Sequence, residues 1–276
     1  VTAPALQLRF AHDDPLARDL VAAWIDGTDA IAIDEAGDRE WRVFYADPGA
    51  RSAARAMLES SCRARGIALN ELDVDDEDWA RRSQARLKAI RAGNIVVAPP
   101  WDLPASAVGS DAPAVIVIEP SAGFGTGHHA STRLCLLALQ RLDLAGRSVL
   151  DVGTGSGVLA IAAAKLGAVR VAGIDTDPDA VGSARDNVGR NSVNVDLRVA
   201  DVASFDGAFD VVLANLTAAW LRRLAPRLLA LSPGGTFVLS GLQTSEQPAV
   251  LEAFEGSAEV IDDLEEDGWS ALILAK

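Results

Sequence analysis

Apolar residues recur along this chain with two different rhythms, and the change of rhythm divides it. Through residue 75 the runs are short and varied. ALQLRF (5–10) alternates as a strand does, while DPLARDLVAAWI (14–25) places apolar residues at helical spacing behind an Asp-Pro start signal. DAIAIDE and EWRVFYA are strand patterns separated by AGDR, which suits a hairpin. DPGARSAARAMLESSCRARG predicts a helix stopping at Gly66, and IALNELDV supplies a last strand. The order β-α-β-β-α-β is that of a split-βαβ, ferredoxin-like unit over residues 1–75, a fold that suits docking or recognition without naming the partner.

ELDVDDEDWARRSQARLKAIRAGN follows, with six acids between Glu71 and Asp78 ahead of a basic stretch. That charge order suits a helix dipole, and the few apolar residues predict a connecting helix over 76–92. NIVVAPPWD and APAVIVIEP read as two strands around a Pro-rich turn, opening a second domain over 93–276. From Gly146 strands and helices alternate: RSVLDVG, a helix from Val158 to Leu166, VRVAGID, a helix from Pro178 to Asn191, and VDLRVAD. FDVVLAN, a helix from Ala218 to Leu231, and GGTFVLSG continue the alternation. Such alternation predicts a parallel sheet covered on both faces, an α/β doubly wound fold. AEVIDDLEEDGWSALILAK then joins two strands through an acidic turn, so the last strand is expected to run antiparallel. That is the Rossmann-like architecture of class I methyltransferases.

Composition narrows the field. At 276 residues and 49% hydrophobic, the chain is long enough for one large domain or two unequal ones, each with a core. No apolar run reaches bilayer length and the first residues do not form a signal peptide, so a cytoplasmic protein without membrane contact is expected. Two cysteines, Cys62 and Cys135, make no disulfide framework and read as reduced thiols. Lysine and arginine total 25 against 39 acids, a net charge of −14. That field disfavours direct nucleic-acid binding and either attracts a basic protein or serves solubility alone. A monomer is expected.

The most informative stretch is LDVGTGSG (150–157). A strand ends at Asp151, and Gly153, Gly155 and Gly157 alternate before a helix whose free N–H groups face an anion. Dinucleotide sites space their glycines G-x-G-x-x-G; the spacing here suits a carboxylate-bearing ligand without pyrophosphate, S-adenosylmethionine (SAM). Asp175, closing the next strand, is placed to accept from both ribose hydroxyls, while Asp177 before Pro178 is the better helix cap. Asp201 is either an acceptor for the adenine amine or a turn aspartate. Asn215 ends the fourth strand and is the expected catalytic residue, its amide oxygen holding an acceptor amine in line with the methyl.

FGTGHHAST (124–132) is then expected across the methionine end of SAM. Phe124 would stack, Thr126 and Gly127 would allow close packing, and the Thr132 hydroxyl would reach the site. The histidine pair, with His129 the stronger functional candidate of the two, has no recognisable zinc-ligand spacing with His12 or the cysteines, so no metal is expected.

With these residues in view, the chain resembles the bacterial methyltransferases of large-subunit ribosomal protein L-eleven. DWARR, VVAPPWD, FGTGHHASTRLCL, VLDVGTGSGVLAIAAAKLGA, GIDTDPDAV, VLANL and LSGLQTSEQ carry the resemblance, from about Asp78 to Gln247. It implies SAM contacts at Thr132, Gly153, Asp175 and Asn215, an N-terminal substrate domain, and methylation of amino groups on a free ribosomal protein. The chain departs from the family pattern at Ala130 and Ser131, usually proline and threonine, and near Ser83, usually aromatic. It departs again at Leu216-Thr217, where the family usually reads Ile-Leu. Three other readings stay open: a methyltransferase of another protein's lysines, a SAM-binding module without catalysis, and a nicotinamide-dependent oxidoreductase.

Overall fold

The structure is a computed structural model that describes residues 2–11, 21, 24–25, 28, 30–37, 39–75, 87–104, 114–120 and 128–276. The chain forms two compact units, Val1–Leu87 and Lys88–Lys276.

In the first unit, β1 (Thr2–Arg9), β2 (Ala30–Gly37), β3 (Glu40–Tyr45) and β4 (Ala68–Asp75) form one antiparallel sheet in the order β2-β3-β1-β4. Helix α1 (Pro48–Ala64) begins where Asp47 accepts from the backbone N–H groups of Gly49 and Ala50, with Pro48 as first helical residue. Period-two alternation sends Leu6, Leu8, Trp41, Val43 and Tyr45 to one face, where they meet Ala54, Leu58 and Cys62 of α1. The helix expected over 14–25 lies outside the described residues except for Val21, Trp24 and Ile25, which are helical. This strand order is the ferredoxin-like one.

The expected connecting helix also falls mostly outside the described residues, and its end is corrected. Residues 87–89 have no regular structure, and Ile90–Ala92 form strand β5, which turns at Gly93-Asn94 into β6 (Ile95–Ala98). The strand β7 (Ala114–Val117) pairs with β6 in parallel, so these two are not joined as a hairpin around a Pro-rich turn. Parallel neighbours need a long connection, and residues 99–113 provide it.

The remaining strands form a seven-stranded sheet: β8 (Ser148–Val152), β9 (Arg170–Asp175), β10 (Asp196–Val199), β11 (Val211–Asn215), β12 (Thr236–Gln243), β13 (Glu259–Glu266) and β14 (Trp269–Ala275). Their order is β10-β9-β8-β11-β12-β14-β13, parallel through β12, with β14 antiparallel to both neighbours. Both faces are buried, as a parallel sheet requires. Val149, Val171 and Leu213 face α2 (Ala130–Leu139) and α3 (Val158–Lys165), while Leu150, Ile174 and Val212 lie in the core formed with α5 (Ala218–Leu231). Helix α4 (Pro178–Asn191) packs on β9 and β10, and the short α6 (Gln247–Glu252) follows β12. The order reverses at β8, so the ends of β8, β9 and β11 flank the crevice where ligands bind in such sheets. Among the described residues no helix is long and apolar enough to cross a membrane.

Candidate active site

The loop after β8 is held by bonds from its own backbone. Gly153 and Thr154 both donate their N–H groups to the Ile174 carbonyl, at 2.9 and 3.0 Å, and Gly155 donates to Asp175 Oδ2 at 3.0 Å. Gly157 has φ +81°, and a Cβ there would lie 3.2 Å from Ala184 Cβ, so the approach of α4 adds to the demand for glycine. Asn187 of α4 ties this loop to the segment that follows β7: its Nδ2 donates to the Ser156 carbonyl at 3.0 Å and its Oδ1 accepts from Glu119 N at 2.9 Å. One turn later Asn191 accepts from Val117 N and donates to Val117 O, as a neighbouring strand would.

Asp151 lies behind this loop. It is 1% exposed, and its Oδ2 accepts from the Thr154 hydroxyl at 2.7 Å and from Ala160 N at 3.2 Å, stapling the loop to α3. Burial pushes its carboxyl up to about 6, against the opposing pull of these two hydrogen bonds. These bonds make Asp151 a support of the loop, at the position where a cofactor contact is expected. Asp175, half-buried at the end of β9, spends Oδ1 on Asp177 N at 3.1 Å and Oδ2 on Gly155. Asp177 caps α4 by accepting from Asp179 N. Asp201 is exposed and accepts from Ala203 N at 2.9 Å, which is the turn reading of that residue.

At the end of β11, the half-buried Asn215 donates from Nδ2 to the buried Thr132 hydroxyl over 3.4 Å. Thr132 is held by the start of α2, where His129 is the N-cap: its Nδ1 accepts from Ser131 N at 3.3 Å and lies 2.8 Å from Ser131 Oγ. The His129 ring meets Trp269 edge-on with centroids 4.4 Å apart. Partial enclosure of the ring, and then the Arg133 charge, hold its pKa below the usual imidazole value. Arg133 in turn forks onto Glu266 at 2.9 and 3.1 Å and donates to the His128 carbonyl. Phe124, Thr126 and Gly127 lie outside the described residues.

Two clusters therefore form from the predicted residues: Asp151, Gly153, Gly155 and Asp175 around the loop, and Thr132 with Asn215 at the neighbouring strand end. Asp201 joins neither through a direct hydrogen bond. Asn187, Trp269 and Arg133 escape a reading of motifs, although the Asn187/Asn191 spacing marks one helix face. Among the described residues no group of three histidine, cysteine, aspartate or glutamate side chains is arranged for a metal. Burial raises the Cys135 thiol to about 12, so it is no nucleophile at neutral pH. A cavity of about 460 Å³ on the flank of α2, lined by Arg91, Arg133, Leu137, Arg141 and Glu266, includes none of the loop residues.

The residues present fit SAM. A Cβ on Gly153 would come 2.7 Å from Leu216 Cδ2, so the loop stays bare between β8 and β11, and the α3 N-terminus beside it favours a carboxylate. Asp175, at the adjacent end of β9, is a carboxylate of the kind that accepts from hydroxyls.

Residues 39–276 match the family described as Ribosomal protein L11 methyltransferase (PrmA). A relative of that name from Symbiobacterium thermophilum is 37% identical over 281 residues, covering 97% of this chain and 90% of its own length. Another from Geobacter metallireducens is 44% identical over 201 residues, 72% of this chain and 66% of its own. The crystal structure of a ribosomal protein L11 methylase from Lactobacillus delbrueckii subsp. bulgaricus superposes with a TM-score of 0.64 at 29% identity, covering 69% of this chain and 99% of that one. The chain belongs to the ribosomal protein L11 methyltransferase family, and S-adenosylmethionine is its methyl donor.

Proposed function

We propose that this enzyme methylates amino groups of ribosomal protein L11, on lysine side chains, at the N-terminus, or both. The observation that carries the chemistry is the pairing of Asn215 with Thr132 at the strand end beside the glycine loop. When bound, SAM would supply a methyl group on a sulfonium, whose carbon a neutral amine can attack as the thioether S-adenosylhomocysteine leaves and the alkylated nitrogen gives up a proton to solvent. Gly153, Gly155 and Asp175 would hold the donor. Asn215 Oδ1 and the adjacent Leu216 carbonyl would accept from the amine's N–H groups and aim its lone pair. Lysine begins near pKa 10.4, and a dry pocket lowers it by disfavouring the cation, so the chain needs to align and desolvate rather than provide a base. Thr132, accepting from Asn215 Nδ2 through its hydroxyl oxygen, would hold the amide's rotation.

The first unit is proposed as the substrate-recognition domain, and the −14 charge as the attraction for a basic, free ribosomal protein. The enzyme would act as a monomer in the cytoplasm, with no direct contact to nucleic acid or membrane. Intact-mass spectrometry of L11 after incubation with enzyme and SAM tests the substrate: whole-methyl increments are expected. An unmodified L11 beside another labelled protein would reassign the substrate, and no labelled protein in a methylation-deficient lysate would leave a binding module. A fragment Lys88–Lys276 should bind SAM yet fail to methylate folded L11; equal rates for fragment and full chain would remove the recognition role. Methylation at low L11 concentration should slow as salt rises.

A further inference from the structure

Strand β12 runs beside β11 with Ser240 opposite Asn215, and the Leu216 N–H donates to the Ser240 carbonyl at 2.9 Å. One residue on, the pairing of β12 with β14 shifts register between Ser240 and Leu242, and Gly241 sits at the shift with φ +85°. Such a bulge re-aims the backbone. A Cβ on Gly241 would lie 2.5 Å from the Leu216 carbonyl oxygen and 2.9 Å from Asn215 Oδ1. The two oxygens that the proposed function assigns to the acceptor amine thus converge on one bare Cα. The buried Ser240 hydroxyl pins the bulge by donating to the Ser270 carbonyl at 2.6 Å.

We infer that Gly241 is a positioning residue for methyl transfer: its bare Cα lets Asn215 Oδ1 and the Leu216 carbonyl stand side by side as the amine's acceptors. The inference rests on the role given to Asn215 above. Positive φ alone would explain a glycine in a turn. Here the space that a side chain would need is filled by two hydrogen-bond acceptors of the site, and one of them is backbone that cannot swing aside. The position therefore governs alignment of the amine, not the loop that holds SAM.

The test is a double-mutant cycle between Gly241→Ala and Asn215→Ala, read as kcat on L11 at saturating SAM and as SAM affinity by titration. Gly241→Ala is expected to lower kcat about 100-fold, the cost of a misplaced reacting group, with SAM affinity nearly unchanged. In the Asn215→Ala background the same change should cost much less, because one acceptor is already gone. Equal factors in both backgrounds, retained kcat, or a loss confined to SAM affinity would overturn the inference. An Asn215→Ala enzyme with full kcat would instead remove the underlying reading. Should Gly241→Ala fail to fold and bind, Ser240→Ala decides: it keeps every backbone contact and loses the pin, together with the hydroxyl's hydrogen bond to the Cys135 thiol on α2. A several-fold fall in kcat with native SAM affinity supports the inference, and unchanged kcat overturns it.

Discussion

The ends of β8 and β11 are neighbours, with Val152 paired to Ala214, yet they are built by opposite means. At β8 an ionisable group is buried and satisfied from within: Asp151 binds Thr154 and Ala160, and the loop N–H groups close on Ile174 and Asp175. At β11 the side chain is a neutral amide, half-exposed, with one long bond, to Thr132, among the described residues. The difference fits the two tasks proposed for these strand ends. A loop that binds one donor gains from being preformed, since the ordering cost is met in folding. A site for a neutral amine gains from lacking charge, since a carboxylate there would stabilise the ammonium, the form without a lone pair.

Changes at β11 should therefore strike turnover, and changes at β8 and β9 should strike binding or stability. The largest effect is expected from Asn215→Ala, a loss of about 100-fold in kcat with SAM affinity nearly intact. Asn215→Asp would sharpen the contrast by moving the alkaline rise of the pH–rate profile to higher pH, and an unmoved profile would show that charge at this position is unimportant. Next, Asp175→Ala should weaken SAM binding by about 1.5–3 kcal/mol, measured by calorimetry, as an ionised acceptor and the anchor of Gly155 are lost together. If both substitutions changed kcat and affinity alike, the division between the strand ends would fail.

Asp151→Asn tests the buried support. The Asp151 carboxyl is raised to about 6 from the ordinary 3.8, so the folded protein takes up a proton in that window. Its contribution to stability is therefore greatest below the window and declines as pH rises through it. Asparagine keeps an oxygen for Thr154 and Ala160 without the charge. The variant should be more stable above pH 7 by about 1–3 kcal/mol, with the difference shrinking towards pH 4. Melting temperatures across that range decide, and a pH-independent difference would contradict the buried-acid account. The smallest effect is expected from Thr132→Val, about a 3- to 10-fold loss in kcat for a neutral hydrogen bond, with SAM affinity retained. A larger loss would mean that the hydroxyl touches the donor itself.

Much of this was legible in order along the chain. The Asp-Pro start and the apolar spacing set α4 at Pro178–Asn191, and the glycines after Asp151 marked the loop because steric rules act on neighbouring residues. The short β5 and the parallel pairing of β6 with β7 were not legible, since a run such as NIVVAPP states a strand but not its partner. Helix α6 was missed too, since it is only six residues long and buries one of them, Val250. Asp201, two residues past β10, read in sequence as either an adenine acceptor or a turn aspartate, and the fold gives it a local turn bond where Asp175 receives a glycine-loop N–H.

By itself the sequence determined the kinds and order of elements, the glycine loop, and the presence of Asn215 at a strand end. These follow from periodicity and backbone sterics, which are local. Tertiary structure decided what those groups touch: Thr132 meets Asn215 across 83 residues, Ser156 meets Asn187 across 31, and Gly241 lies against Leu216. It also decided that burial raises the Asp151 carboxyl, because desolvation depends on the atoms around a group in space and not on its neighbours along the chain.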